Sequence, residues 1–405
     1  MGKQERAWAT GISRRNAFRA LAGFFAGSPL LRSQQDPFRD HSRVPGLDEM
    51  VTAFDFEPVA YAKIPRQVYD YMAHGEGSEF TLRRNREAYD WVQLAPRGIA
   101  NGASVSTETE LFGLKMAMPI MVAPSSGQGQ LHPDGEMGMH VATTAAKTRM
   151  IISNVATFPV DKIAAAATGP IWFQLYPRPD ADANREILEN AQKAGCNGVV
   201  VTIDQQASVY ERDLHDRNLG ARGGGGAGAN PGRGGATAGR GAPRGNPYRV
   251  AETRMWYEWK LFDEIRPVVK GPMLAKGILT PEDARLCIEH GCDGVYVSNH
   301  GGRSMDYGPS TLEVLPAIVD AVAGRVPVIF DSGIRRGTDA LKALALGAKA
   351  VCLGRVARWG LAAYGAPGAQ RVLEILQAEL AQAMAYTGRA SVESINRSIV
   401  RTDFP

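Results

Sequence analysis

The chain holds 405 residues, 44% of them apolar and 22% charged, with a formal net charge of +4. That is a soluble globular composition, which excludes global disorder and a polytopic membrane protein. Four cysteines in this length exclude a disulfide scaffold. The charge is unevenly spread. In residues 1–33, Lys3, Arg6, Arg14, Arg15, Arg19 and Arg32 meet one acid, Glu5; in 220–245, Arg222, Arg233, Arg240 and Arg244 meet none. The rest of the chain is therefore mildly acidic. It lacks the clustered Lys/Arg face that nucleic acid requires, so no nucleic-acid partner is expected.

Ser13-Arg14-Arg15-Asn16-Ala17-Phe18-Arg19 precedes a mostly apolar run, 20–31. Adjacent arginines before a short apolar stretch read as a twin-arginine export signal over 1–33, followed by a linker over 34–54. The run is too short for a transmembrane helix. The expected destination is the periplasm or a membrane-associated location, and a cytoplasmic protein with a basic tail is the alternative. Twin-arginine export carries folded cargo, which suits a protein that loads a cofactor first.

Residues 57–75 read as helical, with Val59, Ala60, Ile64, Val68, Tyr69 and Met72 on the apolar side. Short apolar runs then recur at 119–123, 150–153, 171–175, 198–202, 272–275, 294–298, 326–330 and 350–353. Each is followed by polar or Gly residues and a helix-like stretch, the pattern of buried parallel strands. Three joints share one shape: Ala194-Gly195-Cys196, His290-Gly291-Cys292 and Leu346-Gly347-Ala348 each end a helix on Gly before a strand. Eight such units over 55–400 predict a (β/α)8 barrel with an N-terminal helical cap and a helix-rich tail over 360–400. A doubly wound sheet is weakened because no Gly-x-Gly-x-x-Gly opens an early helix. After the fourth strand lies 220–245, where twelve of 26 residues are Gly. It buries too little to offset its ordering entropy and reads as a flexible insertion.

In such a barrel the active site lies at the C-terminal ends of the strands. Read in order, these ends carry Pro124-Ser125-Ser126, Ser153-Asn154, Gln174 with Tyr176, Thr202 with Asp204, and Lys276-Gly277. They continue with Ser298-Asn299-His300-Gly301-Gly302-Arg303, Asp331-Ser332-Gly333 and Gly354-Arg355. Packing alone rarely puts such residues at consecutive strand ends. His300 with Asp204 fits a general base whose cation a carboxylate stabilises. Arg303 can hold a substrate carboxylate. Lys276 can stabilise negative charge on an electron-accepting ring. The seventh and eighth ends suit a phosphate, with Arg355 as its bidentate partner. The four cysteines, 196, 287, 292 and 352, read as small buried residues, and no metal site is expected.

Lys276-Gly277-Ile278-Leu279-Thr280-Pro281-Glu282-Asp283-Ala284, the Ser298 to Arg303 motif and Asp331-Ser332-Gly333-Ile334-Arg335-Arg336-Gly337-Thr338-Asp339 resemble signatures of the FMN-dependent α-hydroxy acid oxidase/dehydrogenase family. That family includes glycolate oxidase, lactate oxidase and flavin-linked lactate dehydrogenase. Val68-Tyr69-Asp70-Tyr71 and Phe173-Gln174-Leu175-Tyr176 extend the resemblance, which covers roughly 55–400 outside the insertion. It implies the (β/α)8 barrel and FMN as cofactor, contacted by Pro124, Ser125, Ser153, Gln174, Thr202, Lys276 and Ser298. It implies a phosphate seat on Asp331, Gly333, Arg335, Gly354 and Arg355. His300 would take the hydroxyl proton of a small L-2-hydroxy acid as hydride passes to flavin N5, with Asp204 stabilising the cation. Tyr71 and Arg303 would hold the carboxylate, and Tyr176 the reacting oxygen. The electron acceptor is O2 or a quinone or cytochrome, and the resemblance implies a homo-oligomer, a tetramer.

One departure bears on the substrate. Where the family has a second carboxylate-binding arginine after the fourth strand, this chain has Tyr210. Losing one charged hydrogen bond would weaken a carboxylate by about 1.5–3 kcal/mol. That departure motivates the rival reading, oxidation of an amine or modified-peptide substrate on the same flavin. A non-redox FMN-binding barrel is the third reading, and the His300–Asp204 pair argues against it.

Overall fold

A computed structural model describes residues 43–99, 104–204 and 257–405. The export signal, the first part of the linker (34–42), Tyr210 and the insertion lie outside the described residues. The chain divides into two units, Met1–Gly46 and Leu47–Pro405, and the fold described is that of the second.

Eight parallel strands close into a barrel: β1 (Ile120–Val122), β2 (Met150–Ser153), β3 (Ile171–Leu175), β4 (Val199–Thr202), β5 (Met273–Ile278), β6 (Gly294–Val297), β7 (Val328–Phe330) and β8 (Ala350–Leu353). Each pairs with its chain neighbour, and β8 returns to β1. Three cap helices come first: α1 (Phe56–Lys63), α2 (Arg66–Ala73) and α3 (Phe80–Glu87). Eight more then alternate with the strands. They are α4 (Gly135–Ala145), α5 (Val160–Ala165), α6 (Ala181–Lys193), α7 (Lys260–Ile265), α8 (Pro281–Glu289), α9 (Thr311–Val322), α10 (Gly337–Ala345) and α11 (Arg355–Tyr386).

The strands are buried on both faces, which explains their continuous apolar runs. Alternation decides which side chain enters the barrel. Trp172, Met121, Ile151, Val200, Leu274, Tyr296 and Ile329 form the interior cluster, while Phe173, Leu175 and Val201 pack outward with the helices. An antiparallel hairpin, Thr109–Leu111 with Leu114–Met116, adds Leu111 and Met116 to the interior cluster and sets Phe112 against Trp172.

The fifth strand runs further than the sequence pattern predicts, through Lys276 and Gly277 to Ile278. A register shift between Lys276 and Ile278 lets it continue. Gly277 makes that possible: its φ is +112°, and a Cβ there would lie 2.6 Å from Asp204 Cβ. The expected single helix over 57–75 is two. Pro65 holds Ile64 extended, at φ −104° and ψ 153°, and so ends α1. The tail holds α11, broken at Tyr364 and Gly365, and then Val400–Thr402 pairs antiparallel with Val92–Leu94.

The cap is tied to the barrel by polar contacts. Asn85 and Asn299 exchange amide hydrogen bonds of 2.9 and 2.8 Å. Arg84 grips Glu313 with two nitrogens, at 2.8 and 2.6 Å. Glu313 also completes the capping box of α9 with Ser310. No described helix is long and apolar enough to cross a membrane.

Gly198 precedes β4, and a Cβ there would lie 2.5 Å from the Trp172 indole nitrogen. Interior packing leaves little room to yield. Gly198→Ala is expected to destabilise the protein by about 1–3 kcal/mol, read as a lower urea midpoint. An unchanged midpoint would show that the indole can shift.

Candidate active site

Because all eight strands run the same way, their C-terminal ends converge on one mouth, and the polar residues of these ends meet there. Ser153 Oγ, ending β2, donates to Gln174 Oε1 of β3 at 3.0 Å. Thr202 ends β4 fully buried. Asp204 follows it, and Lys276 stands opposite Thr202 in the β4–β5 register.

His300 sits in the loop after β6 with φ +58°, a left-handed conformation unusual for histidine. Gly301 and Gly302 continue that loop at positive φ, and a Cβ at Gly302 would strike the Leu82 backbone at 2.7 Å. The loop is pinned by Ser298 Oγ, which accepts from His300 N–H at 3.1 Å. Held so, His300 Nδ1 meets Asp204 Oδ1 at 2.8 Å, and Nε2 meets the Tyr176 hydroxyl at 3.3 Å. An Nδ1–H donated to Asp204 leaves Nε2 as the acceptor that faces Tyr176.

Lys276 is 2% exposed, with Nζ 3.8 Å from Asp204 and 3.9 Å from Asp331. Burial alone would raise the Asp204 pKa, but Lys276 and His300 outweigh it and hold the carboxyl below its ordinary value. Asp331 Oδ1 accepts from Ser298 Oγ at 2.6 Å and from Ser332 Oγ at 2.8 Å. Its carboxylate thus serves Lys276 and two hydroxyls, whereas the sequence reading seats the phosphate on it. A carboxylate repels a phosphate, so the ammonium and the hydroxyls are its better partners.

The substrate-side residues form a second group. The Tyr71 hydroxyl lies 3.3 Å from Ser126 Oγ, next to Pro124 and Ser125. Arg303 Nη1 donates to the carbonyls of Tyr71 and His74 at 2.6 and 3.0 Å. Its guanidinium lies over the Tyr71 ring, 4.9 Å from the centroid. Arg355 does likewise: Nε donates to Met72 O at 3.0 Å, and Nη2 and Nη1 donate to His74 O and Gly301 O, both at 2.8 Å. Both arginines therefore cap the C-terminal end of α2, where helix carbonyls lack partners.

The third group surrounds the starts of α10 and α11. Gly333 has φ +80°, and a Cβ there would lie 2.2 Å from Asn85 O. Arg335 lies over Trp359, 4.8 Å from its centroid. Burial, then Arg86, pulls its pKa down to about 10. Burial, then Arg303, Arg335 and Arg358, pushes Arg355 well below its ordinary value. Gly354 leaves open space where a Cβ would stand, at the N-terminus of α11. Crowded guanidinium groups beside an open helix N-terminus call for an anion. Gln174 Nε2 and Thr202 Oγ1 are buried at the strand ends without hydrogen-bond partners among the described residues. Together these unmet groups fit a polar ring system carrying a phosphate.

Two arginines of this region escape the sequence reading. Arg358, one turn after Arg355, has a buried Nε without an acceptor among the described residues; a cation among Val356, Ala357 and Trp359 was its signal. Arg86 binds Asp339 at 2.8 Å and also donates to the Gly333 carbonyl, so it fixes the Gly333 turn from α3. Its separation in sequence from that turn hides the role.

The family model described as FMN-dependent dehydrogenase matches residues 60–402. Glycolate oxidase 3 of Arabidopsis thaliana is 36% identical over 360 residues, covering 88% of this chain and 97% of that protein. A 2-hydroxyacid oxidase of Dictyostelium discoideum is 36% identical over 373 residues, covering 87% and 91%. Among solved structures, a crystal structure of mandelate oxidase superposes with a TM-score of 0.77 at 33% identity, covering 88% of this chain and 99% of that one.

Asp204 is depressed in the folded state, so the stability it contributes is fully present above the ordinary aspartate pKa of about 4. That contribution is lost as pH falls through the lower folded value. The urea-stability gap between wild type and Asp204→Asn is expected to be constant at neutral pH and to narrow below about pH 4. A gap that stays constant into acid would contradict the assigned ion cluster.

Proposed function

The chain belongs to the FMN-dependent dehydrogenase family, and from that membership we propose that it oxidises a small L-2-hydroxy acid to the 2-oxo acid with His300 as general base. FMN is the cofactor and supplies the two-electron acceptor for the hydride that leaves the α-carbon. The observation that carries the reading is the Tyr176–His300–Asp204 line, with contacts of 3.3 and 2.8 Å. Pure binding needs no such base.

The residues divide the work by position. Substrate displaces Tyr176 from Nε2, and His300 takes the hydroxyl proton there. Asp204 keeps the proton of Nδ1 directed at itself and compensates the imidazolium charge. The Tyr176 hydroxyl then hydrogen-bonds the reacting oxygen. Arg303 and Tyr71 receive the substrate carboxylate, Arg303 from the orientation that its bonds to α2 give it.

Gln174, Thr202, Ser153, Ser298, Pro124 and Ser125 would line the flavin ring and ribityl chain. Arg335, Arg355, Gly333 and Gly354 would take the phosphate. Lys276, paired with Asp204 and Asp331, would present positive charge to the electron-accepting edge of the ring.

The named relatives are oxidases of glycolate and 2-hydroxy acids, which supports a small hydroxy acid as substrate and O2 as the final acceptor. The Arg14-Arg15 leader supports export of the loaded protein.

His300→Gln keeps the polarity of the site but removes the base. It is expected to retain bound FMN and its visible absorbance while flavin reduction by 2-hydroxy acids falls at least about a hundredfold. Reduction at the wild-type rate would refute the assignment.

A further inference from the structure

Tyr296 stands in β6 and takes no part in the reaction described above. It is 0% exposed and belongs to the cluster inside the barrel. The β5–β6 register pairs it with Lys276. Residues paired across parallel strands project to the same face. Lys276 Nζ accordingly lies 5.6 Å from the centroid of the Tyr296 ring.

The hydroxyl lies beside Asp331 and Cys352. It makes no hydrogen bond among the described residues. Burial, then nearby Asp331, pushes the phenol well above its ordinary value, so the group stays neutral. Met121, Ile151, Val200 and Leu274 fill other interior positions with aliphatic bulk. What an aromatic ring adds is a negative face, and an ammonium above it is attracted most strongly where water is excluded.

Lys276 has reason to need that support. Its distances to Asp204 and Asp331 are nearly equal, 3.8 and 3.9 Å, and neither is a hydrogen bond, while its contact with His300 Nδ1 is long, at 3.5 Å. A drift to either carboxylate would pull the ammonium away from the other. We propose that Tyr296 is a positioning residue: its ring face steadies the Lys276 ammonium between Asp204 and Asp331, and through Lys276 fixes the positive charge presented to FMN. This role rests on the reading above that Lys276 faces the flavin.

The test uses the FMN-loaded protein and four variants: Tyr296→Phe, Tyr296→Leu, Lys276→Met and Tyr296→Leu with Lys276→Met. The readouts are the flavin reduction potential, the dissociation constant for sulfite, which adds only to electron-poor flavins, and the dissociation constant for FMN. Tyr296→Phe keeps the ring and should stay within about twofold of wild type in sulfite affinity. Tyr296→Leu should weaken sulfite about tenfold and lower the potential, with FMN affinity nearly unchanged. In the Lys276→Met background the same leucine should change nothing further.

Wild-type behaviour of Tyr296→Leu, alongside a clear effect of Lys276→Met, would overturn the proposal alone. So would a full leucine effect in the Lys276→Met background, or a phenylalanine variant as impaired as leucine. Lys276→Met without any effect would overturn the flavin-facing reading of Lys276 and the proposal with it. If Tyr296→Leu fails to fold, Tyr296→Met fills the same length without a ring and carries the same expectations.

Discussion

The structure turns on one ammonium group removed from water. Lys276 is nearly inaccessible at the mouth of the barrel, and a lone buried cation would be prohibitively unstable. Two carboxylates at almost equal distance make it tolerable. Each carboxylate in turn has a second duty: Asp204 orients His300, and Asp331 organises Ser298 and Ser332. Base, ammonium and strand-end hydroxyls are therefore parts of one charge balance. Parallel strands make it possible, because only they bring β4, β5, β6 and β7 to the same end.

A second charge problem lies beside the first and has a different solution. Arg303 and Arg355 donate to carbonyls at the end of α2, and Arg335 lies over Trp359. These contacts, made to neutral carbonyls and a ring face, orient the guanidinium groups. Guanidinium groups so gathered are what an anionic cofactor and an anionic substrate would meet. The cap helices thus contribute to the site: α2 orients two of its cations, and α3 secures the Gly333 turn through Arg86.

The barrel was legible because its strands are buried on both faces and so read as apolar runs punctuated by Gly. The ring of polar strand ends was legible for the same reason, since polar residues stand out at the ends of such runs. Three things were not. The fifth strand passes through Lys276-Gly277, because a bulge at a positive-φ glycine leaves no mark in hydropathy. The arginines named for substrate and phosphate also cap α2, because charge type does not reveal which acceptor a long side chain will choose. Tyr296 reads as one more strand residue, because its meaning comes from the strand beside it.

The most direct measurement is an anaerobic mixing experiment on the FMN-loaded protein, with an L-2-hydroxy acid carrying hydrogen or deuterium on the α-carbon. The visible flavin band is followed in time. The account predicts that the band bleaches, more slowly with the deuterated acid, and that the D-enantiomer does not bleach it. A band left intact by every 2-hydroxy acid offered would contradict it.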